Sequence, residues 1–252
     1  MFTDLERMQA TLVKSPIRST RASRMLRRAD AKGLWSYHEC RVGKIDGMHA
    51  VTTYDGLRIV VTIPRPFMQA DDLVLTEILS DIISCLGRPQ VWCRHVSRWL
   101  RYSRRFRLAC KHLHPDYSEH EDTIAVSVVS ELSCLVDDET LDVRDVKVII
   151  AKEPGTLGSN RISMCDPYAR MIVVDPRADN RVPHDAILNY VVFRELCAIA
   201  AFDYTHDNID VLRYVSLLRR WPTGLRRMME DMFDELMWGC TYPTEWRIDT
   251  CE

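Results

Sequence analysis

The chain has no paired cysteine spacing, no long apolar run and no internal repeat, and each absence removes a class of protein. Its nine cysteines (Cys40, Cys85, Cys93, Cys110, Cys134, Cys165, Cys197, Cys240 and Cys251) are scattered, odd in number and free of any C-x-x-C pair. That pattern argues against a structural zinc site of the usual spacing and against a disulfide scaffold. It fits a reducing, cytoplasmic setting in which most thiols act as small buried apolar groups. No stretch approaches the roughly 20 apolar residues of a membrane span, so no membrane contact is expected. The opening MFTDLERMQ has neither the basic nor the apolar region of a secretory signal. There is no low-complexity tract.

What is present is an ordinary globular composition over 252 residues, enough for one large domain or two small ones with an ample core. The formal net charge of −2 conceals an asymmetry. Residues 1–111 carry 20 Lys and Arg against 10 Asp and Glu, whereas residues 112–252 carry 14 against 26. Either the two halves face each other, or the front half offers a basic face to an anionic partner.

Four segments follow from the pattern: a basic helical segment at 1–33, a basic region of β-hairpin and helices at 34–115, a third region at 116–238 and a tail at 239–252. A short amphipathic helix fits residues 2–13. Residues 14–28 place Arg18, Arg21, Arg24, Arg27 and Arg28 near one helical face. That is either a solvated surface helix or arm, or a phosphate-contacting stripe. LWSYHECRV reads as a strand, and HAVTTY and LRIVVTI read as a hairpin around Asp55-Gly56. A helix capped by Asp71 or Asp72 then runs to about Cys85, with Leu75, Ile78, Leu79 and Ile82 inward.

Residues 91–112 read as one basic amphipathic helix. Trp92, Val96, Trp99, Tyr102 or Ser103, Phe106 and Cys110 form a stripe, and Arg94, Arg98, Arg101, Arg104, Arg105 and Arg107 cover the rest. Two readings stand. The aromatic side is core and the arginines meet the acidic back half, or arginines and aromatics together form an anion- or nucleic-acid-binding surface. His112, His114, His120 and Asp116 sit in a polar loop that reads as solvent-exposed or, alternatively, as a metal cluster. A helix at 119–136, a strand at 145–151 and two short strands around Asp166-Pro167-Tyr168 come next. A helix spans about 183–203, followed by the YTHDN loop, helices at about 208–220 and 223–238, and a loose tail that Trp246 could anchor.

The helix at 183–203 organises the whole chain. Pro183 suits its first turn. Ala186, Ile187, Tyr190, Val191, Val192, Leu196, Ile199 and Phe202 recur on more than one side, which marks a buried helix. Arg194 and Glu195 sit in its middle, where an unpaired charge is expensive.

Over residues 145–220 the chain resembles the SprT-like/YgjP-like zinc metallopeptidase family. The residues that carry the likeness are Ile162-Ser163-Met164-Cys165-Asp166-Pro167, then Met171 to Asp179, then Val182-Pro183 and Leu188-Asn189-Tyr190-Val191-Val192 leading into the helix. The resemblance implies an α+β fold of the zincin-like metallopeptidase type, with a small mixed or antiparallel sheet packed on helices and an N-terminal β-hairpin and helix region. The family's His-Glu-x-x-His holds zinc because two imidazoles one turn apart share a helix face, while the Glu activates the bound water. Here those positions read Arg194-Glu195-Leu196-Cys197-Ala198. A guanidinium has no lone pair and a methyl group has no donor atom. Glu195 remains at the general-base position, and His206 falls near the family's third ligand.

The resemblance therefore implies a zinc-free pseudo-peptidase without a cofactor, acting as an interaction or scaffold module. Its partner would be a protein or a nucleic acid, bound through the vestigial cleft or the basic helix. Four readings of the altered motif stay open. Arg194 forms an internal cross-link with Glu195, Asp203, Asp207 or Asp210. Arg194 lines an anion- or peptide-carboxylate-binding pocket. A relocated metal site uses Glu195, Cys197, His206 and Asp210. Cys197 and His206 form a nucleophile pair. The alternative function is a zinc-dependent hydrolase with unconventional ligands.

Overall fold

A computed structural model describes residues 13–45, 48–86, 88–113, 129, 132, 135–136, 145–151, 153–155, 157, 161–178 and 184–221. The helices expected at 2–13 and 223–238 lie outside that set, apart from Val13. So do His114, Asp116 and His120, most of the 119–136 helix, Pro183 and the tail with Trp246. The described chain is α+β and divides into two compact units, residues 1–113 with 203–208, and residues 114–202 with 209–252.

The first unit is built on a four-stranded sheet. Strand β1 (Val13–Arg18) is followed by helix α1 (Thr20–Ala29), β2 (Tyr37–Ile45), β3 (Val51–Asp55) and β4 (Arg58–Pro64), in the order β1-β2-β4-β3. The β2–β4 pair is parallel, and the β1–β2 and β3–β4 pairs are antiparallel. The Asp55-Gly56 hairpin forms as expected, with Asp55 opposite Arg58 and its carboxylate accepting from the Arg58 amide at 3.1 Å. Residues 14–28 depart from the sequence expectation. Val13–Arg18 is an edge strand carrying Pro16, and the helix starts only after Ser19, whose hydroxyl accepts from the Ala22 amide at 3.2 Å. A good N-cap soon after a proline fixes the boundary there. Arg18 is therefore on a strand; α1 buries Ala22, Met25, Leu26 and Ala29 on one face and leaves Arg24, Arg27 and Arg28 exposed on the other, so it is a packed surface helix and not an arm.

Helix α2 (Asp72–Ser84) is capped by Asp71, which accepts from the Val74 amide at 2.9 Å. Leu75, Ile78, Leu79 and Ile82 face inward, and Val74 joins them. The expected single helix over 91–112 is two helices, α3 (Arg94–Tyr102) and α4 (Arg104–Lys111). Ser103 divides them: its backbone leaves the helical region (ψ 108°) and its hydroxyl accepts from the Phe106 amide at 3.3 Å. A serine that can cap competes with helix continuation.

The second unit holds a three-stranded sheet of β5 (Lys147–Ile150), β6 (Ser163–Asp166) and β7 (Met171–Val174), ordered β5-β7-β6 with a parallel β5–β7 pair and an antiparallel β6–β7 pair. The β6–β7 turn is closed by Asp166, which accepts from the amides of Tyr168 (2.8 Å) and Ala169 (2.9 Å), and by Arg170 at φ 52°. Helix α5 (His184–Ala200) packs on this sheet, and helix α6 (Val211–Leu218) follows a hairpin of β8 (Phe202–Asp203) and β9 (Asn208–Ile209). The core gathers Val148, Ile172 and Val174 from the sheet and Leu188, Val191, Val192, Phe193, Leu196 and Ile199 from α5, with Leu217 and Trp221. Residues on all sides of α5 are buried, as its composition requires. No helix among the described residues is long and apolar enough to cross a membrane.

Candidate functional site

Arg194 and Ala198 lie one turn apart on α5, with Glu195 beside Arg194. Glu195 is half-buried and held from the sheet: the Ser163 hydroxyl donates to its Oε1 at 2.6 Å. The Cys165 thiol is a second neighbour of that carboxylate. Ser163 and Cys165 are two apart on β6 and so share the face turned to the helix. Burial first, then the Glu195 charge, pushes the Cys165 thiol well above its ordinary range. Both causes favour the neutral thiol over the thiolate.

Arg194 faces two tyrosines. Its guanidinium lies 5.9 Å from the Tyr190 ring centroid, one turn back on the same helix, and it also engages the Tyr214 hydroxyl from α6. Burial raises the Tyr214 hydroxyl's pKa, and the Arg194 charge opposes that rise. The four carboxylates considered as cross-link partners each hold another group. Glu195 holds Ser163. Asp203 accepts from the Thr205 amide at 2.8 Å, Asp207 faces His49 Nδ1 at 3.0 Å, and Asp210 caps α6 by accepting from the Arg213 amide at 3.0 Å.

The remaining motif positions are spread out. Cys197 is fully buried, and burial drives its thiol far above the ordinary range. His206 is exposed on the β8–β9 turn, 3.9 Å from Asp203, among residues that belong to the first unit. That turn is tied down within its own unit, where its Thr205 carbonyl accepts from the Trp92 amide at 2.7 Å. Among the described residues, no three His, Cys, Asp or Glu side chains group in a way that could hold a metal ion. At the α5 motif the donor chemistry does not fit zinc, because a cation and a methyl group stand where two imidazoles would be needed.

On α3 and α4 the aromatic stripe is core. Trp92 and Phe106 are buried with Phe67, with ring centroids 5.6 and 5.8 Å from it, and Trp99 leans on Phe106 at 4.8 Å. The arginines point the other way: Arg94, Arg98, Arg104 and Arg105 are exposed, and Arg101 and Arg107 are half-buried. Tyr102 is the exception among the aromatics, 59% exposed, with the Arg101 guanidinium 5.3 Å from its ring centroid.

Sequence reasoning missed Ser163, Cys165, Tyr190 and Tyr214 as partners of the Arg194–Glu195 pair. The alternation of Ser163 and Cys165 on a strand before the helix was the available signal. Comparison with known proteins finds no matching family model, no matching curated protein and no matching solved structure.

Proposed function

We propose that this chain is a non-catalytic binding module, a pseudo-peptidase on a zincin-like metallopeptidase fold, that serves as an interaction or scaffold protein for a protein or nucleic-acid partner. One observation carries the reading. At the helix position where a SprT-like/YgjP-like peptidase would place its ligands and base, Arg194 is engaged by Tyr190 and Tyr214, and Glu195 by Ser163 and Cys165. Side chains already committed to one another act as a cross-link between α5, β6 and α6. The order of strand, short hairpin and buried helix supports the family likeness. The residues at this position do not fit zinc.

The test is metal content measured beside stability on the purified full chain. The expected result is less than stoichiometric zinc, with a clear loss of stability in Arg194→Ala. Stoichiometric zinc that disappears on Glu195→Gln or His206→Ala would instead make the chain a hydrolase with unconventional ligands.

A further inference from the structure

The strongest concentration of charge lies in the first unit, away from α5. Between residues 91 and 113 there is no Asp or Glu, while Arg94, Arg98, Arg101, Arg104, Arg105, Arg107 and Lys111 all fall there. The folded chain turns these residues into rows. Arg94, Arg98 and Arg101 are spaced four and three apart on α3, opposite the buried Val96 and Leu100. Arg104, Arg107 and Lys111 are spaced three and four apart on α4, away from the buried Phe106 and Cys110. The acids of the neighbouring α2 are already used: Asp72 takes Arg21 at 2.8 Å, Glu77 takes His95 at 2.6 Å, and Asp81 accepts from the Cys93 amide at 2.8 Å. Among the described residues, Arg94, Arg98, Arg104 and Arg105 form no ion pair. The four exposed guanidinium groups of Arg94, Arg98, Arg104 and Arg105 keep their attraction for an external anion.

We infer that the α3–α4 surface binds single-stranded nucleic acid, with its arginines on the phosphates and Tyr102 as a stacking platform for a base. This names the partner class within the binding-module reading and rests on it. All six arginines on α3 and at the start of α4 have forked donors that match phosphate or carboxylate oxygens in pairs. A second feature favours nucleic acid over an acidic protein. The one large aromatic left exposed on either helix, Tyr102, sits at the end of α3, just before the bend at Ser103, with arginines before and after it in the chain. Base stacking on an aromatic ring beside a basic track is the recurring device of sequence-tolerant single-strand binding. The other aromatics of the stripe are committed to the core, so the surface offers one platform.

The experiment is fluorescence anisotropy of the full chain with a labelled oligothymidylate, a labelled oligouridylate, a duplex of equal length and polyglutamate, across about 50 to 200 mM salt. Binding to the single strands is expected to weaken steeply with salt, each phosphate contact adding about −0.7 to the log–log slope. Arg98→Glu with Arg105→Glu should weaken single-strand binding at least tenfold and flatten the slope. Tyr102→Ala should weaken it about tenfold with the slope nearly unchanged, because stacking carries no counter-ion. Arg24→Glu with Arg27→Glu, on the exposed face of α1, should change it little. Unaltered urea midpoints would show that each variant is folded.

Three results overturn the inference. The first is no oligonucleotide binding at the lowest salt. The second is equal loss from the α1 and the α3–α4 reversals. The third is polyglutamate binding as tight as that of oligonucleotides and indifferent to Tyr102→Ala, which would assign the surface to an acidic protein. None of these outcomes depends on the metal content of α5, so a failure of this inference is distinguishable from a failure of the reading it rests on.

Discussion

Arginine is handled in opposite ways in the two helical regions that carry the most unusual charge. On α3 and α4 it lines the solvent side of helices whose inner faces are Val96, Leu100, Phe106 and Cys110. On α5 it sits in the middle of a helix buried nearly all round, held by Tyr190 and Tyr214, with Glu195 held from β6. The difference teaches how to read a charged residue. An arginine on an amphipathic helix costs nothing and is available to an outside partner. One in an apolar helix must be satisfied internally, and the residues that satisfy it are the better clue to its role.

The comparison breaks most visibly at the core beneath α3 and α4. Phe106→Ala removes a fully buried ring from contact with Phe67 and Trp99 and is expected to cost about 3–5 kcal/mol, measured by urea denaturation. A cost under about 1 kcal/mol would mean that the aromatic stripe is surface after all. Next in size is Glu195→Ala, which strands the Ser163 hydroxyl and removes a carboxylate that accepts from it at 2.6 Å. A loss of about 2–3 kcal/mol is expected for a hydrogen bond to a charged group with one partner left behind. Exposed Arg98→Ser, by contrast, should stay within about 0.5 kcal/mol of the parent.

A subtler test uses a buried charge in the first unit itself. Asp30 is buried against His38, whose Nε2 lies 3.0 Å away. Burial works to raise its pKa, but the amides of Leu34 and Trp35 and the His38 ring together hold it below the ordinary 3.8. A folded-state pKa below the unfolded one stabilises the protein fully above about pH 4. That stabilisation fades as pH falls through the lower, folded value. Asp30→Asn should therefore be less stable at neutral pH and show a flatter stability profile below about pH 4. Identical acid limbs for variant and parent would remove Asp30 from the acid response. Thiol reactivity gives the smallest signal. Burial pushes Cys40 up to about 12, so it should resist a thiol reagent until unfolding, while exposed Cys93 reacts before it.

Much of the fold was legible from short-range chemistry. The Asp55-Gly56 hairpin, the Asp71 cap, the strands on either side of Asp166-Pro167 and the buried character of α5 all depend on neighbours in sequence. The helices read over 183–203 and 208–220 give up their facing ends to the short strands Phe202–Asp203 and Asn208–Ile209. Two other boundaries were misread for one shared reason. Periodicity carried the helical pattern forward through Ser103 and back across Pro16 and Ile17, where local backbone preference favoured a cap in the first case and an extended edge strand in the second.

Composition and spacing alone determined where the cations fall, which helix is apolar nearly all round, and that no imidazole stands at positions 194 and 198. Only the tertiary structure decided which aromatics are core and which one is exposed, and which groups answer the charges of Arg194 and Glu195. Those partners come from β6 and α6, brought together by packing between elements distant in the chain, and side-chain pairing across such distances leaves no periodic trace in a sequence.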